Sequence, residues 1–195
     1  MIVVDMEASG VEPHKNSLVS IGAYEFENPL NFFYEECRVW DGAHIDDEAL
    51  KVNGMSREEI TSSKKQLDKD LVVNFLKWTE SCKEKTIAGQ NPSTDRDFIK
   101  YTCERYHINW PFAHRTVDLH SICYFHMVRR GVMPPSRNAH SALNLDGILA
   151  YVGIPAEPKP HNGLMGAKVE AEAFERLIHE KPLFPDSNGP LERDA

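Results

Sequence analysis

Ile2-Val3-Val4-Asp5-Met6-Glu7-Ala8-Ser9-Gly10 is the stretch on which the reading of the whole chain turns. Ile2-Val3-Val4 is a short apolar run rich in β-branched residues with no turn signal inside it, which predicts a buried strand. Asp5 and Glu7 stand two residues apart, so on an extended chain their side chains share one face. Two carboxylates gathered at the end of an apolar strand repel each other and lose hydration. A bound divalent cation would relieve both penalties. The plainer reading is that Asp5 caps a turn and Glu7 is solvated; the short pattern alone leaves both open.

Outward from this stretch, residues 18–26 and 32–39 are further β-rich runs separated by the turn signal Asn28-Pro29. Three strands joined by short links predict an antiparallel meander. Asp46-Asp47-Glu48 opens a short helical stretch whose acids suit the N-terminal dipole, and Ser56 with Glu59 forms a capping-box pattern. Leu67, Leu71, Val72, Phe75, Leu76 and Trp78 recur at helical spacing, predicting an amphipathic helix over 66–82. A buried strand over 86–89, a helix over 94–106 and a strand over 113–119 follow, then helices over 120–130, 143–152 and 164–179. This order predicts an α/β fold with a mixed sheet flanked by helices. We read residues 1–181 as one domain, and 182–195, with Pro182, Pro185, Gly189 and Pro190, as a poorly ordered tail. Ligands in such sheets collect at strand ends and the loops beyond them.

The 195 residues carry 22 Lys+Arg against 30 Asp+Glu, a net charge of −8, and 41% are hydrophobic. That composition excludes wholesale disorder, because the apolar side chains can offset chain entropy. No apolar run reaches the roughly 20 residues that a bilayer span needs, and Asp5 and Glu7 interrupt the one apolar stretch where a secretory signal would lie. Cys37, Cys82, Cys103 and Cys123 form no C-x-x-C pair and read as reduced thiols, consistent with a cytoplasmic protein. Net acidity argues against broad electrostatic adhesion to nucleic acid, but not against an enzyme whose carboxylates hold cations.

Two further positions resemble the first pair in kind. Asp95 follows the strand over 86–89 and the loop Gln90-Asn91-Pro92, and starts a helix; as a lone acid it is equally an ordinary first-turn residue. His161 follows Lys159-Pro160 just before the last helix, and a lone loop histidine is commonly a surface residue.

Taken in order, these motifs resemble the DEDDh family of 3′–5′ exonucleases, which includes the polymerase proofreading subunit, RNase T and oligoribonuclease. The acidic D-x-E on the first strand matches Asp5-Met6-Glu7. An Asn a few residues before an Asp that opens a helix matches Asn91 and Asp95. The segment His161-Asn162-Gly163-Leu164-Met165-Gly166-Ala167 is similar to the family's His-x-Ala-x-x-Asp-Ala. Residues 52–60 resemble the family's His-Gly-Ile-Thr stretch, and Thr116-Val117-Asp118-Leu119 resembles its strand end after the second motif.

The resemblance implies an RNase H-like exonuclease fold with a central mixed five-stranded sheet. It also implies a metal-dependent 3′–5′ exonuclease using two Mg²⁺ or Mn²⁺ ions, for which hard oxygen ligands are suited. Asp5, Glu7 and Asp95 would hold the metals and His161 would take a proton from the attacking water. Glu7, Ala8, Ser9, Asn91 and Arg137 would contact the substrate, the 3′ end of single-stranded DNA or RNA. Some relatives are homodimers; the residues here decide neither that nor RNA against DNA.

One departure bears on activity: Gly166 stands where the family has its fourth acid. Glu170 lies one helical turn further on, on the same face, and is a candidate replacement ligand; its bland reading is a solvated helix acid beside Glu172 and Glu175. The alternatives are a site with water in place of that ligand, or a weakened or inactive nucleic-acid-binding module of the same fold. Trp40 and Phe98 are candidate base-stacking residues. A rival zinc site drawn from His114, His120, Cys123 and His126 has suitable ligand types but no common spacing.

Overall fold

The computed structural model describes residues 1–184. A five-stranded sheet runs β3 (Phe32–Glu36), β2 (Leu18–Glu25), β1 (Ile2–Ala8), β4 (Ile87–Gly89), β5 (Thr116–Asp118). β1–β2 and β2–β3 are antiparallel, which is the predicted meander, and β1–β4 and β4–β5 are parallel. Helices α1 (Asp47–Asn53), α2 (Arg57–Ile60) and α3 (Asp68–Thr79) precede β4; α4 (Ser93–Arg105) links β4 to β5. After β5 come α5 (Leu119–Arg129), a small hairpin of β6 (Ser136–Arg137) and β7 (His140–Ser141), α6 (Leu145–Tyr151) and α7 (Gly163–His179). Ser56 accepts the Glu59 N–H at 3.1 Å, as the capping-box pattern predicts.

Alternation along β1 sorts its side chains between two cores. Ile2 and Val4 pack with Leu71, Phe75, Phe98 and Ile99 beneath α3 and α4. Val3 faces the other way, into a cluster with Leu119, Cys123, Ala167, Ala171 and Phe174 from α5 and α7. By the same period of two, Asp5 and Glu7 continue the face that α7 covers. The approach of α7 is close: a β-carbon on Gly22 would overlap the Gly163 backbone, and one on Gly163 would lie 2.8 Å from Asp5 O. Glycine at both positions lets the first turn of α7 lie directly on β1 and β2.

Several expectations need correction. The strand expected over 113–119 is reduced to Thr116–Asp118, and that over 32–39 ends at Glu36. The β6–β7 hairpin is not anticipated in the sequence, because its turn is Asn138-Ala139 with φ of 51° and 60°, an alanine standing where glycine usually marks such a turn. Residues 182–184 are not a loose tail: the Leu183 and Phe184 N–H groups donate to Glu172 Oε2 at 2.8 and 3.0 Å. Phe184 also meets the Tyr24 ring edge-on at 5.6 Å. The remainder of the expected tail, 185–195, lies outside the described residues. All four cysteines are free and buried. No helix among the described residues is long and apolar enough to cross a membrane.

Candidate active site

β1 outruns its parallel neighbour. Pairing with β4 stops at Val3–Ala88, so the backbone from Val4 onward borders an opening at the C-terminal end of β4. Asp95, in the first turn of α4, fills part of that gap: its Oδ1 accepts the Met6 N–H at 3.1 Å. One side chain thus takes over the hydrogen bond that a longer β4 would supply, and brings a buried carboxylate against the backbone of Met6, the residue between Asp5 and Glu7.

From the opposite side α7 delivers Gly166 and Glu170. The carboxylate of Asp5 occupies the space a β-carbon on Gly166 would need. Glu170 is 3% exposed, so the solvated-helix reading does not hold. Its Oε2 has no hydrogen-bond partner and sits where a β-carbon on Gly89, at the end of β4, would lie 3.1 Å from it. Glu157, in the loop before α7, joins the same cluster and is also buried, with Oε1 unpartnered.

The electrostatics record this crowding. Burial, then the charges of Glu170, Asp95, Glu7 and Glu157, push the Asp5 carboxyl well above the usual range. Burial first, then Glu157 and Asp95, raise Glu7 to about 7. Burial raises Asp95 to about 7 against the opposing pull of the Met6 N–H. Glu170 is pushed well up by burial, then by Asp95 and, more weakly, Glu157 and Asp118, while a Gln90 backbone hydrogen bond opposes the rise. Among the described residues, the main influences on these four acids include no lysine or arginine. Among the described residues no three His, Cys, Asp or Glu side chains form a closed ion cage as they stand. The donors nevertheless fit a hard divalent cation: they are carboxylate oxygens, repelling one another, with one buried oxygen of Glu170 left unsatisfied.

His161 is held at the rim. Its N–H donates to Val52 O at 3.1 Å, and its Nδ1 lies 3.4 Å from Glu157 Oε2. The next residue, Asn162, caps α7 by accepting the Leu164 and Met165 N–H groups at 3.0 and 3.3 Å, and its Nδ2 donates to Tyr34 Oη at 2.8 Å. Beside His161 runs a groove lined by Val11, Ile45, Asp47, Ala49 and Val52, in which Val11 and Val52 are exposed apolar side chains.

The structure thus draws together Asp5, Glu7, Asp95 and Glu170, with His161 at their edge. Glu157, which sequence reasoning missed, is an isolated acid in a proline-rich loop with only its E-x-x-x-H spacing to His161 as a signal. Ser9 is taken up by the fold: its hydroxyl donates to His44 O at 2.8 Å and accepts the Ser17 N–H at 2.9 Å. Ala8 O likewise accepts from Asn53 Nδ2 at 3.2 Å. Asn91 is exposed at the β4–α4 junction with φ of 54°, its N–H donating to Asp118 Oδ1 at 3.2 Å. Arg137 is exposed on the β6–β7 hairpin.

Neither candidate stacking residue is free to stack. Phe98 is in the core, and Trp40 is covered by the Arg105 guanidinium 4.5 Å above its ring. The rival zinc ligands do not meet either: Cys123 is buried, His120 bonds Ser141 Oγ at 2.8 Å and His126 bonds Tyr151 Oη at 2.9 Å.

Comparison with known proteins identifies the family and the fold. The RNase T exonuclease family model matches residues 2–174. The 3′–5′ DNA exonuclease Cap18 of Escherichia coli is 32% identical over 182 residues, covering 91% of this chain and 90% of that protein. Among solved structures, the nuclease domain of 3′hExo, a DEDDh family member bound to rAMP, superposes with a TM-score of 0.69 at 15% identity, covering 92% of this chain and 91% of that one. Cell-death related nuclease 4 gives 0.70 at 15% identity, over 93% of this chain and 64% of that one. E. coli exonuclease I in complex with a dA16 oligonucleotide gives 0.71 at 16% identity, over 92% of this chain and 40% of that one. These likenesses establish the fold as the exonuclease, RNase H-like one.

Proposed function

This chain belongs to the RNase T family of DEDDh 3′–5′ exonucleases, and on that premise we propose that it removes nucleotides from the 3′ end of single-stranded nucleic acid with Glu170 in place of the family's fourth acid. The observation that carries the reading is Glu170 itself: buried, with Oε2 unpartnered, and electrostatically joined to Asp95. A buried carboxylate oxygen without a partner in that position costs about 1–3 kcal/mol, which a merely structural residue has no reason to retain. It also counts against the inactive-module alternative, since a binding surface for phosphates gains nothing from buried negative charge.

Asp5, Glu7, Asp95 and Glu170 would hold two Mg²⁺ or Mn²⁺ ions, which when bound neutralise phosphate charge and make a nearby water more acidic. The chain's own residues supply the rest. Asp5 and Glu7 fix the site to a central strand, and Asp95 is braced by the Met6 N–H, so the carboxylates present a rigid frame. His161 accepts the proton of the attacking water at Nε2, a role suited to an imidazole near neutral pH. The water oxygen bonds to phosphorus as the bond to the 3′ oxygen of the preceding nucleotide breaks. The products are a nucleoside 5′-monophosphate and a strand with a new 3′-hydroxyl. The groove by Val11 and Val52 would take the terminal base, because its apolar rim offers a stacking surface next to His161.

DNA is the first substrate to test, since the relative with 32% identity is described as a DNA exonuclease. A 5′-labelled single strand incubated with Mg²⁺ or Mn²⁺ is expected to yield a ladder shortened from its 3′ end, abolished by chelator and by Asp5→Asn. A strand retarded on a native gel but never shortened would overturn the reading.

A further inference from the structure

We propose that Glu157 is the positioning residue of His161, holding the imidazole through Nδ1 so that Nε2 presents its lone pair to the attacking water. This inference rests on the reading of His161 as the proton acceptor. Its basis is geometric. Glu157 Oε2 lies 3.4 Å from His161 Nδ1, with the Glu157 side chain 4% exposed and the His161 side chain 35% exposed. An imidazole–carboxylate contact of this length in a ligand-free site is within the range that tightens when substrate binds.

The main chain around His161 is already fixed. Its N–H is tied to Val52 O, and Asn162 is committed to capping α7 and to Tyr34. Rotation of the ring is the freedom left, and Glu157 is the side chain in contact with Nδ1. The loop that carries Glu157 is Pro155-Ala156-Glu157-Pro158-Lys159-Pro160. Three prolines fix φ at three positions, so the carboxylate is presented without much further loss of chain entropy. The remaining Glu157 oxygen is buried and unpartnered, an arrangement that a loop serving only connectivity would not keep. A carboxylate on the far nitrogen selects the Nδ1–H tautomer and stabilises the imidazolium that forms when Nε2 takes a proton.

The test is made on the metal-free full chain with ¹⁵N-labelled histidine, the His161 signals being assigned with His161→Asn. Free neutral histidine favours the Nε2–H tautomer, so the proposal expects the reverse at His161: Nδ1 protonated and Nε2 bare. Glu157→Ala should return the ring to Nε2–H, and Glu157→Gln, whose amide oxygen still accepts, should keep Nδ1–H. In nuclease assays Glu157→Ala should lower kcat at least tenfold with KM within twofold of the parent, and Glu157→Gln should recover most of the loss. A wild-type His161 in the Nε2–H form overturns the proposal, even if Glu157→Ala cannot be folded. So does a Glu157→Ala protein that keeps its tautomer, or one whose only defect is a higher divalent-ion requirement, which would make Glu157 a ligand instead. If the wild-type chain cuts nothing, the nuclease reading fails, while the tautomer separately decides whether Glu157 holds the ring.

Discussion

The Oδ2 of Asp5 fills the volume that a β-carbon on Gly166 would require. The strand acid and the helix glycine are therefore a matched pair: the missing side chain is what allows Asp5 to lie against α7. With Asp5 in this conformation a side chain at 166 would have to displace its carboxylate, whereas Glu170, one turn along, reaches the cluster from beside Gly89 and Asp95.

Restoring the family's aspartate should harm the protein. Gly166→Asp is expected to lower nuclease activity at least tenfold and to destabilise the fold by about 1–3 kcal/mol, the usual range for overpacking. Gly166→Ala separates sterics from charge. It should also lose activity, although alanine is favoured over glycine by about 1 kcal/mol inside a helix. Nuclease assays with thermal unfolding check both; a Gly166→Asp variant more active than the parent would contradict the pairing.

Glu170→Gln should trade function for stability. Removing a charge that four neighbouring acids oppose is expected to raise the metal-free Tm at pH 8 by a few degrees, given roughly 2–4 °C per kcal/mol for a chain of this size. The same change should cut nuclease activity by about 100-fold or more, since the proposed ligand is lost. Equal activity would make Glu170 a bystander.

The metal-free fold should prefer acid. Glu7 rises from its ordinary 4.5 to about 7 and Asp95 from 3.8 to about 7, so both bind protons more tightly folded than unfolded. Stability from such groups is fully present below the unfolded values and is lost as pH climbs through the folded ones. Tm without divalent ions should therefore fall between pH 5 and 8, by on the order of 5 °C, and Mg²⁺ or Mn²⁺ at pH 8 should restore much of it. Glu25 and Glu36 are shifted downward and act below this window. A Tm that rises over the window would contradict the arrangement.

The groove beside His161 should govern substrate affinity. Val11→Glu and Val52→Glu each place a charge on an exposed apolar rim, so KM for a single strand should rise about tenfold with kcat little changed, the stacking of one base being worth about 1–3 kcal/mol.

Much of the frame could be read from residue pattern because it rests on local physics. The β-branched run 2–4, the period of Leu71, Val72 and Phe75, and the Ser56 cap each act within a few residues of themselves. The i, i+2 relation of Asp5 and Glu7 likewise gives their common face. What could not be read depends on which way individual side chains turn and what they meet there. Glu170, Glu172 and Glu175 look alike on one helix, yet Glu172 is consumed by Arg176 at 2.7 Å and by the chain at 183–184, while Glu175 meets His179 at 2.8 Å. Only Glu170 keeps a bare buried oxygen among the three. Glu157 is hidden for the same reason, and Ser9 looks available because its bonds reach His44 and Ser17, partners that no spacing reveals.

The central claim, that Glu170 stands in for the missing acid at 166, is tested most directly by anomalous diffraction from crystals soaked in Mn²⁺ with a nucleoside monophosphate. The account predicts manganese coordinated by Asp5 with Glu170 among the ligands of the site. Manganese bound by Asp5, Glu7 and Asp95 with Glu170 turned away, or no manganese at all, would contradict it.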